Sequence, residues 1–222
     1  MNVKLIAHTI LVEDGHKVLP FLEEDYETTD LDHLGELAGR ACYGSFDRPN
    51  PDTRENKDYL ANIIRQGHFS VLAHASATFY ISGASRSLTH ELIRHRFLAF
   101  SEISQRYVDM EHSYTVIPPD LRYDWGLEEL IRDHHARSLD LYDRVYDALQ
   151  AQGKTRKEAR QAARAVLPGG TNTNIVVSGN FRAFRDFIQQ RDSDGADREI
   201  RELAREVKRQ LKGIAPNSFQ DL

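Results

Sequence analysis

The segment Arg94-His95-Arg96-Phe97-Leu98-Ala99-Phe100-Ser101-Glu102-Ile103-Ser104-Gln105-Arg106-Tyr107 concentrates side chains that could hold an anion. The three basic residues fall where a helix should end, and offsetting the negative end of its dipole is a sufficient structural reason for them. If residues 102–107 run extended, period two sends Glu102, Ser104 and Arg106 to one side and Ile103, Gln105 and Tyr107 to the other. A carboxylate, a hydroxyl and a guanidinium on one surface suit a sugar and a phosphate. A plain solvated strand face has the same alternation.

A second group lies in residues 180–191. At about 100° per residue on a helical wheel, Arg182, Arg185 and Gln189 fall together, with Phe181, Phe184, Phe187 and Ile188 opposite and Arg191 among the phenylalanines. An unpaired buried charge costs on the order of several kcal/mol, so Arg191 must carry its head out at the helix end or meet an anion. Two other motifs fail on spacing. His90 and His95 in His-Glu-Leu-Ile-Arg-His are five apart, where a helical zinc-protease pair needs four. Gly169-Gly170 lacks the later Gly-Lys-Ser/Thr of a phosphate loop and reads as a helix stop. Cys42 sits in no nucleophile motif, and a lone cysteine is usually a small buried hydrophobe.

The elements that must position these groups follow from periodicity. Residues 3–12 alternate as a strand and are cut off by Glu13-Asp14-Gly15, without the basic n-region or cleavage site of a signal peptide. Short helices are predicted over 31–41, entered through Thr29-Asp30, and over 59–66. A strand over 70–81 ends at Gly83, a helix runs over 85–96, and a long amphipathic helix covers 128–150. A helix over 154–167, stopped by Pro168-Gly169-Gly170, precedes a strand over 171–177. Helices over 180–191 and 196–211 close the chain, the last with Ile200, Leu203, Ala204, Val207 and Leu211 on one stripe.

With 222 residues, 40% hydrophobic and 28% charged, and no break in composition, one domain over 1–222 is expected. No run of about 18 uncharged apolar residues is present for a membrane span. One cysteine allows no intrachain disulfide, which fits a reducing cytoplasm. A net charge of −5 argues against a nucleic-acid surface, while arginines clustered over 86–106, 156–164 and 182–191 favour local pockets for small anions.

Arg94-His95-Arg96, seven residues, then Ser104 resembles the Arg-His-Arg-x7-Ser signature of flavin-dependent thymidylate synthases, and Glu102-x-Ser104-x-Arg106-Tyr107 resembles its extension. Gly67-His68-Phe69-Ser70, His74, Arg164-Ala165-Val166-Leu167-Pro168, Asn180-x-Arg182, Arg191 and Glu199-Ile200-Arg201 look like the family's other blocks, in order, from about residue 5 to 211. The resemblance implies an α/β subunit with a central mixed sheet flanked by helices, and a homotetramer whose sites form between subunits. It implies FAD as cofactor, with NADPH and 5,10-methylenetetrahydrofolate as co-substrates, and dUMP methylated to dTMP without a protein thiolate. By the resemblance, Arg94, His95 and Arg96 hold FAD, helped by Ser70, Glu102, Asn180 and Arg182. Glu91, Glu102, Ser104, Gln105, Arg106, Arg164 and Arg191 bind dUMP, and Arg191, Ser104 and His68 stand nearest the chemistry. Departures occur at Ala73, where a Glu is usual, at Ala99 and Ser101 in place of Ser and Asn, and at Gly195, where an imidazole is expected. They leave open a variant methylase or hydroxymethylase acting on another pyrimidine nucleotide, or a pseudoenzyme that only binds dUMP and FAD.

Overall fold

A computed structural model describes residues 1–12, 15, 28–46 and 50–222. Glu13 and Asp14, expected to end the first strand, lie outside the described residues, as do residues 16–27. The strands are β1 (Asn2–His8), β2 (Ser76–Ser85), β3 (Ala99–Glu102) and β4 (Asn172–Asn180). The helices are α1 (Asp30–Tyr43), α2 (Asn56–Arg65), α3 (Arg86–Leu92), α4 (Trp125–Ala151), α5 (Arg156–Ala163), α6 (Phe181–Arg191) and α7 (Arg198–Ile214).

The α/β class holds, but the sheet is not mixed. Its order is β1-β2-β4-β3 and every neighbouring pair is antiparallel. Strands β2 and β3, joined through α3, run in the same direction but flank β4 on either side and do not pair with each other. An antiparallel sheet can leave one face open. Val3, Ala77, Phe79, Ile81, Ile175 and Val177 are buried on the inner face, while Ile6 and Tyr80 stay exposed. Gly83 takes φ 67° where the β2–β4 register shifts, a conformation that glycine adopts without strain.

The inner face is covered by α6 and α7, whose Phe181, Phe184, Phe187, Ile200, Leu203, Val207 and Leu211 join one core with the sheet, α1 and α2. Phe184 meets Phe79 edge-on at 5.3 Å. At the sheet edge, Leu5 donates its amide to Gln210 of α7 (2.8 Å), whose amide nitrogen donates to the Val3 carbonyl (2.8 Å). A smaller cluster of Met110, Tyr142 and Ala163 joins α4 and α5.

Several boundaries move, for tertiary reasons. Residues 70–73, expected to open a strand, belong instead to a 3-10 turn over Phe69–Ala73 that buries Val71 and Leu72. The helix expected over 85–96 stops at Leu92, and hydrogen bonds from His95 N to Leu92 O and from Leu98 N to His95 O continue it as turns. The extended reading of 102–107 fails beyond Glu102, because the amides of Tyr107 and Val108 both donate to the Ser104 carbonyl (3.0 Å each). The helix expected over 154–167 tightens to 3-10 at Arg164–Val166, ahead of Pro168. Strand β4 extends to Asn180, which caps α6 through its side chain on the Ala183 amide (2.9 Å).

Candidate active site

Helix α3 is short, and its placement rests on its first turn. Ser85 accepts the Leu88 amide (3.0 Å) as a cap, and its own amide and hydroxyl donate to the two oxygens of buried Glu199 on α7 (2.9 and 2.6 Å). That brace holds Arg86, Thr89 and Glu91 along one side of a cleft of about 510 Å³, which Glu102 and Gly169 also line. Arg86 pairs with Oε1 of Glu102 at 2.9 Å, and the Thr89 hydroxyl donates to the same oxygen at 2.8 Å. One carboxylate oxygen is thereby occupied, which fixes the direction of the other. A neighbouring pocket of about 250 Å³ shares Ser87 and Glu91 and reaches Ser85 and Glu199.

Arg191 closes α6 and reaches Glu91, one of the residues that line this cleft. It donates through Nη1 to Glu91 Oε2 (2.8 Å) and through Nε to His95 Nε2 (2.9 Å). The expected choice for this residue is thus settled in favour of an anion. A nitrogen that accepts from a guanidinium carries no proton, so His95 is neutral with its hydrogen on Nδ1. Burial, and then the Arg191 charge, push the His95 pKa below its ordinary value, in the same sense. Phe187 holds the imidazole edge-on at 5.1 Å.

Residues 104–107 follow β3 as a turn. Gln105 is buried, Ser104 half-buried, and the Nε of Arg106 is buried with no hydrogen-bond partner among the described residues. Arg164 lies exposed where α5 tightens into its 3-10 turn. Elsewhere, His68 Nδ1 and the Tyr43 hydroxyl share a hydrogen bond at 2.7 Å, Ser70 is exposed in the 3-10 turn, and Arg182 is exposed on the first turn of α6. Arg94 and Arg96 point outward on either side of buried His95. Among the described residues, Arg94, Arg96, Arg106, Arg164 and Arg182 form no ion pair with a carboxylate, whereas Arg86, Arg160, Arg185 and Arg191 do. Unpaired guanidinium groups of this kind match phosphate and pyrophosphate oxygens, so the donor set fits a phosphate-bearing cofactor and substrate.

Residues 26–217 match the family model described as thymidylate synthase complementing protein. The chain is 48% identical to a probable flavin-dependent thymidylate synthase of Mycobacterium phage D29 over 227 aligned positions, covering 100% of this chain and 96% of that one. It is also 52% identical to the flavin-dependent thymidylate synthase of Mycobacterium marinum and 50% identical to that of Mycobacterium tuberculosis, each over 204 positions, 87% of this chain and 82% of the relative. The chain belongs to the flavin-dependent thymidylate synthase family.

The site residues expected from the sequence divide in two by geometry. Glu91, His95 and Arg191 meet directly, and Glu102 joins them along the cleft through α3. His68, Ser70 and Arg182 make no hydrogen bond or ion pair with that group within one chain. Reasoning from the sequence missed Arg86, Thr89, Glu199 and Arg160. A signal existed for Glu199, which begins the Glu199-Ile200-Arg201 block, and for Arg86, which opens the arginine-rich stretch. Nothing local marks Thr89 as the partner of Glu102.

Proposed function

We propose that the chain, a single catalytic domain over residues 1–222, converts dUMP to dTMP in the cytoplasm. In this reading FAD is its cofactor, with 5,10-methylenetetrahydrofolate as carbon donor and NADPH as reductant. The observation that carries the reading is the Arg191 guanidinium held 2.8 Å from Glu91 and 2.9 Å from His95. It links the helix preceding the Arg-His-Arg signature to the end of α6, and a guanidinium held there supports a hydrogen bond to a pyrimidine carbonyl.

In this reading Arg106 and Arg164 grip the nucleotide phosphate, and Ser104 and Gln105 orient the sugar and base. Arg191 stabilises negative charge on the uracil carbonyl edge, with Glu91 aligning it. Arg94, His95 and Arg96, with Ser70, Glu102, Asn180 and Arg182, hold FAD, and His68 stands at its edge. FAD supplies the redox chemistry when bound, and the protein supplies orientation and charge. The split between the His68 and Arg191 groups within one chain, together with exposed Ile6, Tyr80, Phe97, Trp125, Leu130 and Leu141, supports a homotetramer with sites shared between subunits.

The test is direct. The purified protein should be yellow, NADPH should bleach it faster with dUMP present, and tritium should leave position 5 of the uracil ring when methylenetetrahydrofolate is added, giving dTMP by mass. Arg191→Ala should weaken dUMP binding by about tenfold to a hundredfold, the worth of one charged hydrogen bond, while keeping its flavin. A colourless protein, or normal turnover in that variant, contradicts the reading.

A further inference from the structure

Helix α5 presents one face to the turn at 104–107. Its N-terminus is fixed by a capping box between Thr155 and Glu158. Lys157, Arg160 and Arg164 follow at i, i+3 and i+7, so they share a side of the helix and its continuation. Lys157 Nζ stands 4.8 Å from the centre of the exposed Tyr107 ring. Arg160 reaches further: Nη1 donates to the Tyr107 carbonyl at 2.9 Å and Nη2 to Asp109 Oδ2 at 2.7 Å. Its side chain is 17% exposed, and the guanidinium carbon lies 5.8 Å from the Tyr146 ring on α4.

The turn needs such a tie. Its internal hydrogen bonds converge on the Ser104 carbonyl and leave its exit at Tyr107 to be held from outside. One planar guanidinium spans a carbonyl and a carboxylate two residues apart, which a lysine ammonium cannot do with the same geometry. Arg160 sits four residues before Arg164, on the segment that carries it. The two groups assigned to the phosphate, Arg106 in the turn and Arg164 after α5, are therefore referenced to one another through this side chain.

We propose that Arg160 is a positioning residue that sets the spacing of the phosphate grip formed by Arg106 and Arg164; the inference rests on the dUMP reading of the cleft. The tie is made at Tyr107 and Asp109, at the exit of the turn beside Arg106, so it acts more on the phosphate half of the ligand than on the base half held from Ser104 and Gln105 at the entrance. Asp109 is its anchor.

The experiment compares parent, Arg160→Ala, Arg160→Lys and Asp109→Asn as flavin-loaded proteins, titrated with dUMP and, by competition at millimolar concentration, with 2′-deoxyuridine, which lacks the phosphate. Arg160→Ala should weaken dUMP by about tenfold or more, with a clearly smaller loss for deoxyuridine and flavin content unchanged. Arg160→Lys and Asp109→Asn should fall between it and the parent, and both keep most of the local packing should the alanine variant fail to fold. Unchanged dUMP affinity in all three variants overturns the inference, and so does an equal loss for dUMP and deoxyuridine, which would mean general loosening. A parent that binds no dUMP instead defeats the nucleotide reading itself and this inference with it.

Discussion

At the scale of single residues, the informative contact is between two groups that are both basic in water. Arg191 donates to His95, which is compatible only with a neutral imidazole, and Glu91 balances the guanidinium on its other edge. Protonating His95 would place two cations 2.9 Å apart behind Phe187. The direction of the shift fixes the pH behaviour. The folded pKa lies below the ordinary 6.5, so the contact and the stability it contributes are fully present above 6.5 and are lost as pH falls through the folded value. An NMR titration of the His95 ring should therefore give a midpoint below 6.5, and Arg191→Ala should raise it by removing the cationic neighbour. A midpoint at or above 6.5 in the parent would show that the imidazole does not accept from Arg191 in solution.

At the scale of elements, legibility tracked whether a segment's own periodicity decided its fate. The α7 stripe of Ile200, Leu203, Ala204, Val207 and Leu211 is buried as its spacing predicts, and α4 covers the expected 128–150 within Trp125–Ala151. The breaks after Leu92 and Glu102 were not legible, because partners far along the chain decide them. Arg191 reaches His95 across 96 residues, and Arg160 reaches Tyr107 across 53. The helical wheel likewise grouped Arg185 with exposed Arg182, yet Arg185 is buried against Asp221. The need of Arg191 for an anion was legible from its place among the phenylalanines, whereas the brace beneath α3 was not, since Glu199 meets Ser85 across 114 residues. That brace supports a prediction about α3 as a unit. Glu199→Gln leaves one carbonyl oxygen to serve two donors and turns an amide donor toward the other, so it should cost about 2 kcal/mol of stability in urea unfolding. Because α3 carries Arg86, Thr89 and Glu91, dUMP affinity should fall in the same variant. Parent-like stability and affinity together would remove the brace from the account of the site.

At the scale of the whole molecule, the fold is closed by residues 215–222, which no periodic pattern marks. Ala215, Ser218 and Phe219 are fully buried. Buried Asp32 on α1 accepts from the amides of Asn217 and Ser218 (3.0 and 2.8 Å) and from the Ser218 hydroxyl (2.5 Å). On the other side, Arg185 of α6 donates to the Ser218 carbonyl (2.7 Å) and holds both oxygens of Asp221 (2.8 and 2.6 Å), with its guanidinium over the rings of Phe69 and Phe219. The tail thus ties α1 to α6 and to Phe69, the residue between His68 and Ser70. A buried ion pair adds little over an apolar pair of equal volume, but removing one partner strands the other. The Arg185 side chain is 3% exposed and that of Asp221 36%, so Asp221→Ala should cost about 3 kcal/mol, the low end for breaking such a pair. Arg185→Leu combined with Asp221→Ala should then lose clearly less than the sum of the two single losses, because the double variant leaves no stranded charge. Urea unfolding of the four proteins decides it: additive losses, or an Asp221→Ala protein as stable as the parent, would mean that the tail is held by Asp32 and Phe219 alone.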